Sequence, residues 1–180
     1  MRTDRIEKII NSMRQHNMDQ MVISDPSTIF YLTGKFVASG ARLFALCLDT
    51  QGACTFFINS LQTDYAPLAE GAGIVWYTDS DDSIQILAKK IRTGGTVGID
   101  KNWPSSFLLR LMAAADAKYV LNSGIIDYIR MVKDDGEIQL MRETQAVNEK
   151  VISEMFQYVS PELTEQKHHR MLHEMYCCLL

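Results

Sequence analysis

Between Ile74 and Leu121 the chain alternates two hydrophobic periods, and that alternation constrains its fold more than any other feature. Ile74 to Tyr77 is a strand pattern. In the SIQILAKKIR stretch that follows, Ile84, Leu87, Ala88 and Ile91 fall on one helical face. Thr96 to Asp100 (TVGID) is a second strand, Ser105 to Ala115 fits a helix that Pro104 can open, and Tyr119 to Leu121 is a third strand ended by Asn122-Ser123-Gly124. The connections are long enough for parallel crossovers, so this half of the sequence asks for a sheet with covering helices.

The segment before it adds a different pairing. Leu43 to Leu48 and Ala53 to Ile58 are apolar runs separated by Asp49-Thr50-Gln51-Gly52, the spacing of an antiparallel hairpin. Both runs are nearly continuous in apolar residues, so both faces should be buried. Upstream, Ile6, Ile9, Ile10 and Met13 share one face of a helix over 2–16, with Thr3 or Asp4 as its cap. Gln20 to Ser24 is a strand, and Asp25-Pro26 opens a brief helical turn through Ile29 to Leu32 that stops at Gly34. A loop with Ser39, Gly40 and Arg42 follows, and residues 60–70 suit a short helix ended by Gly71. The expectation is an α/β domain over 1–131, a mixed, mainly six-stranded sheet with helices on both faces, followed by C-terminal helices over 132–180.

The strongest start signal in the chain is Asp134, which with Glu137 forms the pattern of a capping box. Ile138, Met141, Val151, Ile152, Met155, Phe156 and Val159 then recur at helical spacing. With Leu140 and Tyr158 they spread over several faces, more apolar surface than one small domain covers, so without a covering sheet the expectation is self-association through residues 138–180 or disorder of the last helix.

Composition removes several function classes. Net charge is −4, pI is about 5.5, and no basic run exceeds Lys89-Lys90, so neither nucleic acid nor an anionic membrane is an expected partner. The N-terminus MRTDRIEKII lacks an apolar signal region, and no window approaches the roughly 18 apolar residues of a membrane span. Cys47, Cys54, Cys177 and Cys178 form no CxxC pair, and a reducing, cytoplasmic setting is expected.

Candidate chemistry is sparse. Asp79-Ser80-Asp81-Asp82 fails as a calcium loop, because its sixth position is Ile84 and its twelfth is Lys90; a helix N-terminus stabilised by carboxylates explains it. His169 and His173, four apart on a helix, could share a Zn²⁺ ion, but Arg170 and Met171 break the HExxH pattern and no third ligand is identified, so a solvated helix face is the plainer reading. Cys177 and Cys178 point about 100° apart and are no ready chelate. No nucleophile elbow, phosphate loop or dinucleotide fingerprint is present. Arg42 is either an anion contact or simply solvated. No residue stands out as catalytic.

The order of motifs resembles a known family. Tyr31-Leu32-Thr33-Gly34, an arginine-containing loop and hairpin, VGID, and then Arg130-Met131-Val132-Lys133-Asp134 with Glu137-Ile138 and Met141-Arg142 is similar to the N-terminal half of the creatinase, prolidase and aminopeptidase P family. Thr28 departs from it, since Asn often occupies that position. The resemblance implies a ribonuclease-H-like domain over 1–131, with 132–180 as linker and first helices of a pita-bread catalytic domain. In the complete enzyme that domain holds two divalent metals (Mn, Co or Zn) and cleaves peptides at proline; the substrate is a proline-containing peptide and the assembly a homodimer. No Asp, His or Glu of this chain matches a ligand motif of the family, so no cofactor and no activity are expected of the 180 residues themselves. Arg42, in the frame Gly40-Ala41-Arg42-Leu43-Phe44, matches a loop arginine that reaches a substrate carboxylate in creatinases. The alternative is a stand-alone binding or oligomerisation module that keeps the domain without the catalysis.

Overall fold

The computed structural model describes residues 1–37, 40–65 and 71–179, in two units, Met1–Met131 and Val132–Leu180. Ser39 and residues 66–70 of the expected loop and short helix lie outside this description; residues 63–65 form a 3-10 turn.

The first unit is built on a six-stranded sheet of order β4-β3-β2-β1-β5-β6. The strands are β1 (Gln20–Ile23), β2 (Ala45–Asp49), β3 (Cys54–Asn59), β4 (Gly73–Tyr77), β5 (Thr96–Ile99) and β6 (Lys118–Leu121). β2 runs antiparallel to both of its neighbours, with Val22 opposite Cys47 and Leu46 opposite Phe56. The other pairings, β1 with β5, β3 with β4 and β5 with β6, are parallel. Both hairpin strands are buried on both faces, as their continuous apolar runs require.

Because side chains alternate across a strand, the sheet feeds two cores. Met21, Ile23, Leu46, Leu48, Phe56 and Ile58 point into one, which is closed by α1 (Thr3–Gln15), α2 (Pro26–Thr33) and α5 (Ser123–Met131). Val22, Ala45, Cys47, Phe57, Val97 and Ile99 point into the other, under α3 (Ser83–Ala88) and α4 (Ser105–Ala114). Helices therefore cover both faces. On α1, Ile6, Ile9, Ile10 and Met13 are all buried, each contributing roughly 1.5–3 kcal/mol of apolar transfer. Burial raises the Cys47 thiol to about 12, so it acts as a small apolar side chain.

Several local expectations are corrected. α1 begins at Thr3, with Arg2 at the cap position and no side-chain cap; neither Thr3 nor Asp4 caps it. α3 ends at Ala88 and does not run through Arg92. The chain leaves it because Gln20, buried on β1, holds the next residues: its side chain donates to the Lys90 carbonyl (2.9 Å) and accepts from the Arg92 amide (2.7 Å). α5 was hidden by Asn122-Ser123-Gly124, which has the composition of a turn, but Ile125 and Ile126 are buried and carry the helix. Gly98 in the VGID stretch leaves room for Met18, since a Cβ there would lie 2.5 Å from the Met18 sulfur and would push that side chain aside.

The second unit comprises α6 (Asp135–Met155), a 3-10 turn Phe156–Tyr158 and α7 (Glu165–Leu179). The capping box at its start is complete: the Asp134 carboxylate accepts from the Glu137 amide (2.8 Å), and the Glu137 carboxylate accepts from the Asp134 amide (3.0 Å). The Tyr176 hydroxyl donates to the Asn148 side chain and ties α7 to α6. Val151 and Met155 are buried, whereas Leu140 (64% exposed) and Phe156 (70%) lie open.

Candidate functional site

The polar groups of the first unit gather where the parallel strands end, the edge at which open α/β sheets bind ligands. Two clusters stand there.

The first surrounds Arg42. Its Nε donates to Asp79 Oδ1 at 2.8 Å and its terminal nitrogen to Asp79 Oδ2 at 2.6 Å, a bidentate fork. Asn59, at the end of β3, donates to the same Asp79 oxygen at 2.8 Å. The Tyr77 hydroxyl, at the end of β4, donates to the Leu43 carbonyl at 2.6 Å and fixes the backbone beside Arg42. The hydrogen bond from Arg42 holds the Asp79 carboxyl below its usual range, and the reciprocal bond raises the guanidinium. Both side chains remain solvent-accessible, and such a pair adds little to stability. Its consequence is geometric: the fork is already set for a carboxylate.

Asp79 therefore does not serve a helix N-terminus. Of the acidic run only Asp82 caps α3, accepting from the Ile84 and Gln85 amides, while Asp81 accepts from the Thr78 amide and hydroxyl.

The second cluster was not singled out from the sequence. Asp100, at the end of β5, accepts from the amides of Ser24, Asp25 and Asn102. Asp25 caps α2 through the Thr28 amide (2.8 Å) and hydroxyl (2.7 Å), and accepts from the Asn102 side chain at 2.6 Å. Burial pushes the Asp25 carboxyl up, but the Thr28 and Asn102 hydrogen bonds and the Arg130 charge prevail and leave it lowered. In Asp100 burial prevails over its three amide donors, and its carboxyl is raised. Every oxygen here has a partner within the chain, so the cluster clamps β1 to β5. Thr28 belongs to that clamp.

On α7, His169 and His173 lie with Lys167 and Arg170 along an open hollow of the second unit. His173 Nε2 is 3.7 Å from the Cys177 sulfur. Among the described residues no three His, Cys, Asp or Glu side chains are grouped so as to hold a metal ion. The donor set present does not fit a dinuclear metal centre.

Residues 5–132 match the model of the Creatinase/Prolidase N-terminal domain. The chain belongs to this family. An uncharacterized peptidase of Staphylococcus aureus (strain MRSA252) is 24% identical over 170 residues, 91% of this chain and 46% of the relative. The chain thus spans about half the length of the curated relatives it matches. The dipeptidase PepE of Mycobacterium ulcerans superposes with a TM-score of 0.88 at 22% identity, covering 98% of this chain and 49% of that one. The Creatinase/Prolidase N-terminal domain of an X-PRO dipeptidase from Streptococcus pyogenes gives 0.62 at 18% identity, covering 71% of this chain and 98% of that one. The mixed six-stranded sheet with helices on both faces is consistent with the creatinase-type fold of these neighbours. No helix among the described residues is long and apolar enough to cross a membrane.

Proposed function

We propose that this creatinase-type domain is the non-catalytic N-terminal part of a Xaa-Pro metallopeptidase, and that it serves that enzyme in dimerisation and in capping the active site of a partner subunit. The observation that carries this reading is the match over residues 5–132, placed at the start of a chain that overlays half of a dipeptidase. Peptide hydrolysis is assigned to residues outside these 180, because the metal-ligating side chains among the described residues do not fit the two metals such chemistry uses.

Arg42 is the residue of this chain proposed to face substrate. A guanidinium fork suits the C-terminal carboxylate of a short peptide, and Asp79 shows that a carboxylate fits it in bidentate geometry. In a full-length enzyme carrying this domain, Arg42→Ala should lower kcat/KM for Xaa-Pro dipeptides by about tenfold or more, the worth of a charged hydrogen bond. Unchanged kinetics would remove Arg42 from the site. The 180-residue chain itself should not cleave Xaa-Pro dipeptides in the presence of Mn²⁺; turnover would overturn the assignment.

A further inference from the structure

The guanidinium of Arg42 presents two forks in its plane, and Asp79 occupies only one of them. It takes the side-on pair, Nε at 2.8 Å and Nη2 at 2.6 Å. The end-on pair, Nη1 with the second N–H of Nη2, has no partner among the described residues, and the side chain is 42% exposed.

Asp79 is itself held. Asn59, fully buried at the end of β3, donates to Asp79 Oδ1 at 2.8 Å and accepts from the Leu61 amide at 3.0 Å. The Leu61 amide can only donate, so the Asn59 oxygen faces it and the side-chain NH2 group faces Asp79. Asp81 ties the turn that carries Asp79, accepting from the Thr78 amide and hydroxyl at 2.7 Å each. The backbone beside Arg42 is tied to β4 by the Tyr77 hydroxyl. A long, flexible side chain is therefore fixed at its base and at its tip to the ends of β3 and β4, with one fork left facing solvent.

We infer that Asp79 is a positioning residue, which holds the Arg42 guanidinium so that its open fork receives the C-terminal carboxylate of a peptide substrate. This rests on the reading of Arg42 as the substrate-facing residue, and it assigns Asp79 and Asn59 the work of aiming it. An arginine already oriented loses little rotamer freedom when the carboxylate arrives, which is how a preset contact raises affinity. The substrate does not have to displace Asp79, because the two carboxylates use different N–H pairs. Folding alone does not explain the arrangement, since an ion pair this exposed adds little to stability.

The test uses a full-length enzyme carrying this domain and an Xaa-Pro dipeptide such as Ala-Pro. Asp79→Ala should raise KM by about fivefold with kcat unchanged, the mark of lost binding shared by ground and transition states. In an Arg42→Ala background the same substitution should add nothing. Asp79→Asn retains an acceptor for Asn59 but turns half of the fork into a donor, so it should match Asp79→Ala and serves where that variant fails to fold. In the 180-residue chain itself, the Arg42 Nε–H resonance should be shifted from its random-coil position in wild type and return to it in Asp79→Asn. Unchanged kinetics for Arg42→Ala would strike the substrate-facing reading and this one with it. Three other results would overturn the positioning role while leaving Arg42 in the site. These are wild-type kinetics or a lowered KM in the Asp79 variants, an equal loss from Asp79→Ala with and without Arg42, and a random-coil Arg42 resonance in wild type.

Discussion

Asp25 links local sequence to long-range structure. Through Thr28 it starts α2, and through Asn102 it holds the segment after β5. Asp25→Ala should cost about 2 kcal/mol, because it removes an N-cap and strands the Thr28 and Asn102 donors; urea unfolding measures this. The cost depends on pH in a defined sense. Its carboxyl is lowered in the folded state, so the stabilisation is present above the unfolded value of about 3.9 and fades as pH falls through the lower folded value. Wild type and variant should therefore converge in acid, and a constant difference between pH 7 and pH 2 would contradict the assignment. The cap itself is legible in the sequence as Asp25-Pro26 ending at Gly34, which takes a left-handed φ of 76°. Its other partners are not. Asn102 lies 77 positions away, and Arg42 meets Asp79 across 37 positions. Neither separation leaves a periodic trace, which is why the acidic run was read as one cap and the Asp100 clamp was missed.

At the scale of elements, periodicity was informative wherever one face alone is buried. The apolar stripe of α1, the hairpin turn at Asp49 to Gly52 and the Asp134–Glu137 box all appear at their expected places. α5 was hidden because its first turn contains residues that also favour loops, and tertiary burial of Ile125 and Ile126 overrides that preference. α3 was overextended because Ile91 keeps the helical period and is buried although the helix has ended. The capping box gives a direct test. Asp134→Ala should destabilise α6 by about 1 kcal/mol, read from the loss of helical ellipticity on heating, while Asp134→Ser should stay close to wild type. Equal behaviour of the two substitutions would show that the cap is energetically idle.

At the scale of the whole molecule, the residues described in both cores of the first unit all lie before Met131, the last of them Ile126, buried, and Ile129, packed against it. A chain ending at Met131 should therefore keep its sheet spectrum and unfold in one cooperative transition. Gradual, non-cooperative melting of that fragment would mean that the sheet depends on the helices after it. The motifs around Tyr31 and Arg130 carry the family resemblance in the sequence, whereas strand order was not readable, since a parallel crossover can return to either side of a sheet.

That order carries a kinetic consequence. The hairpin of β2 and β3 closes across a short turn, and β4 joins it nearby in sequence. β1 waits at the centre of the sheet for β5, because Gln20 finds its partner only at Val97, 77 positions on. The rate of folding should then be set by closure of this loop, with the Asp25–Asp100 clamp forming in the same step. On a ribosome the first half of the domain has a middle strand with one side unpaired until β5 emerges, the interval in which this chain has most need of a chaperone.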